Sequence, residues 1–213
     1  PFELRVHRRY NPEGLSAYNV VPGLMGVILT MTLVMMTSMA MTRERERGTL
    51  ENLLATPVRP LEMMLGKILP YVLIGYVQVL IVFAAARGLF EVPMEGSHVL
   101  LTAAVLLFIT ATLTVGFTFS TIARSQMQSM QMTMFYFLPN ILLSGFMFPF
   151  RGMPQWAQTI GEVLPLTHFL RIVRAVMLKG AGPADIAAEA AAIGAFTLVA
   201  AGVALLRYRQ TLD

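Results

Sequence analysis

Thr42-Arg43-Glu44-Arg45-Glu46-Arg47-Gly48-Thr49-Leu50-Glu51-Asn52-Leu53-Leu54 lies between two long apolar segments, and its charge decides how the rest of the chain is read. Six ionised side chains fall between Arg43 and Glu51. One charge held at mid-depth in hydrocarbon costs roughly 2.5–3.5 kcal/mol on insertion scales. The stretch therefore faces water at a membrane surface, and the apolar segments on either side of it are spanning helices.

The composition agrees. Hydrophobic residues make up 56% of the 213 positions and charged residues 13%, and the mean hydropathy is +0.65. Soluble domains carry about a quarter charged residues, so the chain reads as an all-α integral membrane protein seated in a lipid bilayer. The absence of cysteine excludes disulfides, thiolate metal sites and a thiol nucleophile. A net charge of +4 raises the question of nucleic acid. The Lys and Arg residues collect at membrane flanks, however, and no basic stripe interleaves with aromatics, so no nucleic-acid partner is expected. The chain opens Pro1-Phe2-Glu3-Leu4 without an initiator Met or a signal-like segment, and residues 1–21 are polar. That opening reads as the tail of an upstream domain on an N-terminally truncated piece.

A spanning helix needs about 20 mostly apolar residues. Five segments meet that need: 22–41, 68–86, 97–122, 126–148 and 186–206. Pro22 suits the first turn of its helix, where a missing N–H costs nothing, and Pro139-Asn140 marks a kink in the fourth span. Between spans four and five, Met153-Pro154-Gln155-Trp156 reads as an interfacial turn with Trp156 as anchor. Leu166, Phe169, Leu170, Val173, Val176 and Met177 then recur at helical spacing, with Arg171 and Arg174 on another face. This predicts a re-entrant or interface-lying amphipathic helix, closed by Gly180. Basic residues divide evenly between the two sides. The short loops decide the orientation: 42–67 carries five basic residues and 87–97 carries one, which puts 42–67 in the cytoplasm.

Within the charged loop, Gly48 closes a helix that continues past the bilayer. Thr49 is a good N-cap for a short second helix, and Glu51 sits favourably in its first turn. Leu50, Leu53 and Leu54 give that helix an apolar stripe. Thr56-Pro57 ends it, and Arg59-Pro60 starts the helix leading into the second span. Sign alternation from Arg43 to Arg47 adds little stability, since exposed ion pairs are worth about 0.2–1 kcal/mol each. A structured charged patch of this kind is a place for a soluble partner to push.

Residues 43–58, continued by Arg59-Pro60-Leu61-Glu62 and Leu65-Gly66-Lys67, closely resemble the cytoplasmic loop signature of bacterial ABC-2 type permeases. Tyr10-Asn11-Pro12-Glu13, Val21-Pro22-Gly23-Leu24, Leu143-Ser144-Gly145-Phe146-Met147-Phe148-Pro149 and Leu164-Pro165-Leu166-Thr167-His168-Phe169-Leu170 are similar to other landmarks of that family, in the same order. The resemblance implies the membrane subunit of an ATP-driven exporter in a bacterial inner membrane, of the multidrug-efflux-like branch. It implies six spans with a periplasmic domain after the first, so that this chain corresponds to spans two to six and residues 1–21 to the end of that domain. It also implies pairing with a second permease subunit and a cytoplasmic ABC ATPase, with room for a periplasmic adaptor protein. Arg43, Glu44, Arg45, Glu46, Arg47, Gly48, Thr49, Leu50 and Glu51 would couple to the ATPase. ATP and Mg would bind there, because this chain has no phosphate-binding Gly-x-x-x-x-Gly-Lys-Ser/Thr loop. The chain is then not itself an enzyme and binds no cofactor or metal directly.

Other residues carry weaker signals. Asn140, Ser144 and Gly145 sit at a helix break where polar groups could line a substrate path or satisfy the Pro139 kink. His168 reads as interfacial, Glu189 as a hydrated residue one turn inside the last span, and Gln126, Gln128 and Gln131 as solvated or facing the ATPase. A self-contained carrier or an intramembrane enzyme is the alternative. The first needs ionisable groups at mid-depth and the second a converging acid, base or nucleophile, and the span interiors offer almost none.

Overall fold

The computed structural model describes residues 17–48 and 60–209. Among them there are seven α-helices and no strand: α1 (Ala17–Glu46), α2 (Pro60–Gly88), α3 (His98–Ile122), α4 (Gln126–Leu143), α5 (Gln155–Gly161), α6 (Pro165–Lys179) and α7 (Pro183–Arg209). Four segments of these helices, Tyr18–Glu44, Ile68–Gly88, His98–Ile122 and Pro183–Arg207, are long and apolar enough to cross a membrane.

The remaining expected span, 126–148, is shorter than read. Helix α4 stops at Leu143, and Gly145 takes a left-handed conformation (φ 82°) that turns the chain away. Gln126, Gln128, Gln131 and Asn140 hold its hydropathy below that of the other four. Pro22 also differs from expectation. It lies inside α1, which begins at Ala17, so the Tyr18 carbonyl loses its helical donor instead of the proline sitting in the first turn. The loop breaks agree with the sequence where they can be compared: α1 continues through Glu46, Gly48 has φ 66°, and Pro60 opens α2. The short helix expected after Thr49 lies outside the described residues.

Helices α1 and α3 form the centre, packed through Leu29, Leu33, Val105, Phe108 and Ile109, all fully buried. They approach closely at Gly116, where an added Cβ would stand 2.9 Å from the Val34 carbonyl oxygen. Helices α2 and α4 pack on α1, and α7 packs on α3. Leu69, Leu73, Val77 and Leu80 on α2 follow one helical face and point outward, as do Leu198, Val199 and Leu206 on α7. In a bilayer, rows of exposed leucine and valine are lipid-facing surface.

Helix α6 lies across the end of the bundle remote from Arg43. Its residues meet Gly23 and Gly26 near the start of α1 and the loop before α3, where the Glu95 N–H donates to the Met177 carbonyl (3.0 Å). The apolar stripe read from the sequence is real, but it faces protein. Leu166, Phe169, Leu170, Val173, Val176 and Met177 are buried, and Phe169 stacks on Phe108 at 4.1 Å between ring centroids. The helix is a brace across α1, α3 and α7. Trp156, on α5, remains largely exposed.

Candidate functional site

The charged end of α1 is fastened to the start of α4. Thr42 is fully buried; its hydroxyl donates to the Ser38 carbonyl (2.8 Å) and pairs with the Ser129 hydroxyl at 2.7 Å. One turn outward, Arg43 Nε donates to Gln126 Oε1 (3.1 Å). The Glu46 carboxylate accepts from the Gln126 side-chain amide (2.6 Å) and from its backbone N–H (2.8 Å). That N–H belongs to the first turn of α4, which Ser125 caps by accepting from the Gln128 N–H (3.2 Å). A carboxylate at a helix N-terminus satisfies an orphan donor and meets the positive end of the dipole. The Gln126 side-chain hydrogen bond first, and its backbone bond second, hold the Glu46 carboxyl below the ordinary carboxylate range.

The expected coupling residues therefore divide. Arg43 and Glu46 turn to α4. Glu44 faces the opposite way and, with Tyr71, Leu113 and Phe117, lines a cavity of about 480 Å³ between α1, α2, α3 and α7. Arg47 and Gly48 form the exposed turn that ends α1. The Arg45 side chain and all of Thr49, Leu50 and Glu51 lie outside the described residues. Sequence reading named Gln126 as solvated or facing the ATPase and did not foresee its contacts with Arg43 and Glu46. Its partners are 80 and 83 positions away, and no local spacing announces them.

From this fastening a polar seam follows the packed face of α4, whose main neighbour is α1. Ser129, Thr133, Asn140 and Ser144 are all buried, at steps of four or seven residues, with the half-buried Tyr136 among them. Asn140 Nδ2 donates to the Tyr136 carbonyl (2.8 Å), while Asn140 Oδ1, the Ser144 hydroxyl and the fully buried Ser38 hydroxyl have no partner among the described residues. The Tyr136 hydroxyl lies beside Asn140 but outside hydrogen-bonding geometry. Asn140 and Ser144 thus sit inside a closed seam, and Gly145 forms its mouth. There Arg174 donates to the Gly145 carbonyl (3.2 Å) and, through Nε and Nη2, to the Asn19 carbonyl at the start of α1 (3.3 Å).

The same end holds an ion cluster. Arg171 grips Glu162 with two hydrogen bonds (2.5 and 2.9 Å), reaches Glu189 at 3.4 Å and lies 4.8 Å over the Phe150 ring. His168 pairs with Glu189 through Nδ1, and its Nε2 is 2.8 Å from the Glu162 carbonyl. Arg171 holds the Glu162 carboxyl below the ordinary range. Glu189, expected to be hydrated, keeps about a quarter of its side chain exposed and also ties α7 to the α6 brace.

Residues 5–178 match the family model of the ABC-2 type transporter. The chain belongs to this family. It is 31% identical over 205 residues to the probable multidrug ABC transporter permease YbhS of Escherichia coli K12, an alignment covering 96% of this chain and 54% of that one. It is 36% identical over 217 residues to the inner membrane transport permease YhhJ of the same organism, covering 98% and 56%. A more distant relative is ABC transporter G family member 20 of Dictyostelium discoideum, 26% identical over 172 residues, 81% of this chain and 24% of that protein. The chain spans about half the length of the bacterial relatives it matches. ABC-2 membership, with four long apolar helices, makes it a multi-pass membrane component of an ABC transporter.

Proposed function

We propose that this chain is the exporting membrane subunit of an ATP-driven transporter in a bacterial inner membrane, and that the 43–56 loop couples it to a separate cytoplasmic ATPase. ATP and Mg bind to that partner, and a second permease subunit completes the pathway. Helix α4 is the fifth span: its 18 residues reach about 27 Å at 1.5 Å per residue. The relatives named as multidrug permeases support export, with a periplasmic adaptor as a further partner. The observation that carries the coupling role is the run of α1. It leaves its apolar segment, stays helical through Arg43–Glu46 and ends in an exposed turn at Arg47 and a left-handed Gly48.

Gly48→Pro with Glu51→Lys tests this. Proline cannot adopt the φ of 66° that the turn requires, and the second change reverses a charge in the loop while leaving Glu46 on Gln126. Pull-down of the ATPase and nucleotide-dependent transport should both be lost, with the subunit still inserted. Undiminished ATPase binding in the double mutant would overturn the coupling role.

A further inference from the structure

Helix α6 is tied to α7 through His168 and Arg171, which both reach Glu189. His168 is buried, and each of its ring nitrogens stands against an oxygen. Nδ1 meets Glu189 Oε2, and Nε2 lies 2.8 Å from the Glu162 carbonyl oxygen. A carbonyl oxygen only accepts, so Nε2 carries a hydrogen. The Nδ1 contact then needs a second proton, held either by the imidazole or by the carboxyl. Without it the Nδ1 lone pair faces a carboxylate, and two acceptors repel each other.

The surrounding charges match one such proton. Glu162 and Glu189 bring two negative charges and Arg171 one positive charge, so a single further proton balances the cluster. Helices α1, α3 and α4 bring no carboxylate, lysine or arginine to this end. Arg174, two turns further along α6, is bound to the Gly145 and Asn19 carbonyls, and Arg151 is exposed. Asp185, one turn before Glu189, accepts from the Gly182 N–H, and His98 stacks edge-on against Phe83. Glu95 and Lys179 stand at the C-terminal end of α6. About a quarter of the Glu189 side chain is exposed, so the proton exchanges with water.

We propose that the His168–Glu189 pair is a proton-operated clasp between α6 and α7. A bond that needs its proton contributes fully while the proton is bound and is lost as pH rises. With the proton gone, Arg171 alone of the pair's neighbours still reaches Glu189, and the first turns of α7 loosen from the brace. The clasp lies at the end of the bundle remote from Arg43. Acidity on the side of the membrane opposite the charged loop therefore sets how firmly α6 holds α7. None of this rests on the coupling role proposed above.

Ile186 is buried on the face of α7 that carries Glu189, three residues before it. The chain has no cysteine, so Ile186→Cys supplies a single thiol that reports α7 lifting from the brace. Its reaction with a neutral thiosulfonate reagent is followed in the assembled transporter in membrane vesicles. Rates are normalised to Leu89→Cys, exposed at the same end, which removes the reagent's own pH dependence. From about pH 6 to about pH 8.5, across the range where histidine commonly titrates, the normalised rate should rise. Losing one hydrogen bond implies a step of about three- to tenfold. Glu189→Gln replaces the carboxylate with an amide whose N–H a singly protonated ring accepts at Nδ1, so the thiol should stay slow throughout. His168→Gln, whose amide donates to Glu189 at every pH, should also lose the step. His98→Gln should keep it. A parent with no step, or a step that survives in either clasp variant, overturns the clasp. A Glu189→Gln thiol that reacts fast at both ends of the range makes Glu189 a structural partner and overturns the role of the proton.

Discussion

The two ends of the bundle are fastened by different chemistry. At the Arg43 end, α1 meets α4 through one half-buried amide side chain shared between an exposed arginine and an exposed glutamate, backed by one buried hydroxyl pair. At the far end, Arg171, lying over the Phe150 ring, ties three segments together through Glu162 and Glu189, Arg174 ties two more, and Phe169 stacks on Phe108 in the core. Exposed ion pairs and hydrogen bonds contribute little net stability, because water competes for every partner. Buried packing such as the Phe108–Phe169 stack contributes more and resists exchange. One end is thus built to hold, and the other can let go without unfolding the molecule. On the coupling role proposed above, the joint that yields stands next to the ATPase.

Phe169→Ala is the severest challenge to the rigid end. The ring is fully buried and stacked on Phe108, and truncating a core phenylalanine costs about 3–5 kcal/mol. Thermal unfolding in detergent should shift strongly downward. A variant as stable as the parent would show that α6 rests on the bundle without bracing it.

Glu189→Leu should come second. It strips His168 and Arg171 of a shared partner at a site where about a quarter of the Glu189 side chain is exposed. Leaving such polar groups unmet costs roughly 1–3 kcal/mol. The same unfolding measurement should show a smaller loss than Phe169→Ala and a larger one than Gln126→Ala. Should Gln126→Ala prove the more damaging, the two ends would have to exchange roles.

Much of this asymmetry was legible in the sequence, and its key contact was not. Spanning helices announce themselves through length and apolarity, so α1, α2, α3 and α7 follow from composition, with ends set by Gly48, Pro60 and Ser97. The left-handed glycines at 48 and 180 fall where helix-stop chemistry puts them. Periodicity told that α6 has an apolar face. It could not tell what covers that face, because lipid and protein interiors are equally apolar. That the cover is Phe108 and α1 depends on glycines at 23 and 26, whose missing side chains leave room for Leu166, Phe169 and Leu170. The Gln126 contact and the Glu189 pairing join residues 18 to 83 positions apart. A single sequence carries no periodic signal for such pairs. Asn140 and Ser144 were found by their polarity inside an apolar run, but their placement within a closed seam needed the neighbour helix.

Acidification gives the finest test, because both fastenings contain a carboxylate held below its ordinary range, Glu46 by Gln126 and Glu162 by Arg171. A group with a lowered pKa contributes its stabilisation above the ordinary carboxylate range and loses it as pH falls through the lowered value. Both contacts should therefore be intact at neutral pH and in mild acid, and weaken together once pH falls below the ordinary carboxylate range. The consequences differ with exposure. Protonated Glu46 keeps one oxygen able to accept from Gln126 but loses the charge that favours the α4 N-terminus, so the seam should open slightly without any loss of fold. Labelling of a Ser38→Cys variant with a neutral thiosulfonate reagent, normalised to a Met127→Cys variant at an exposed position to remove the reagent's own pH dependence, should rise modestly below the carboxylate range. In a Glu46→Gln background the starting rate should be higher and the acid step absent. An acid step that survives in that background would assign the pH response to the far end, where Glu162 and Arg171 would then be the joint that yields.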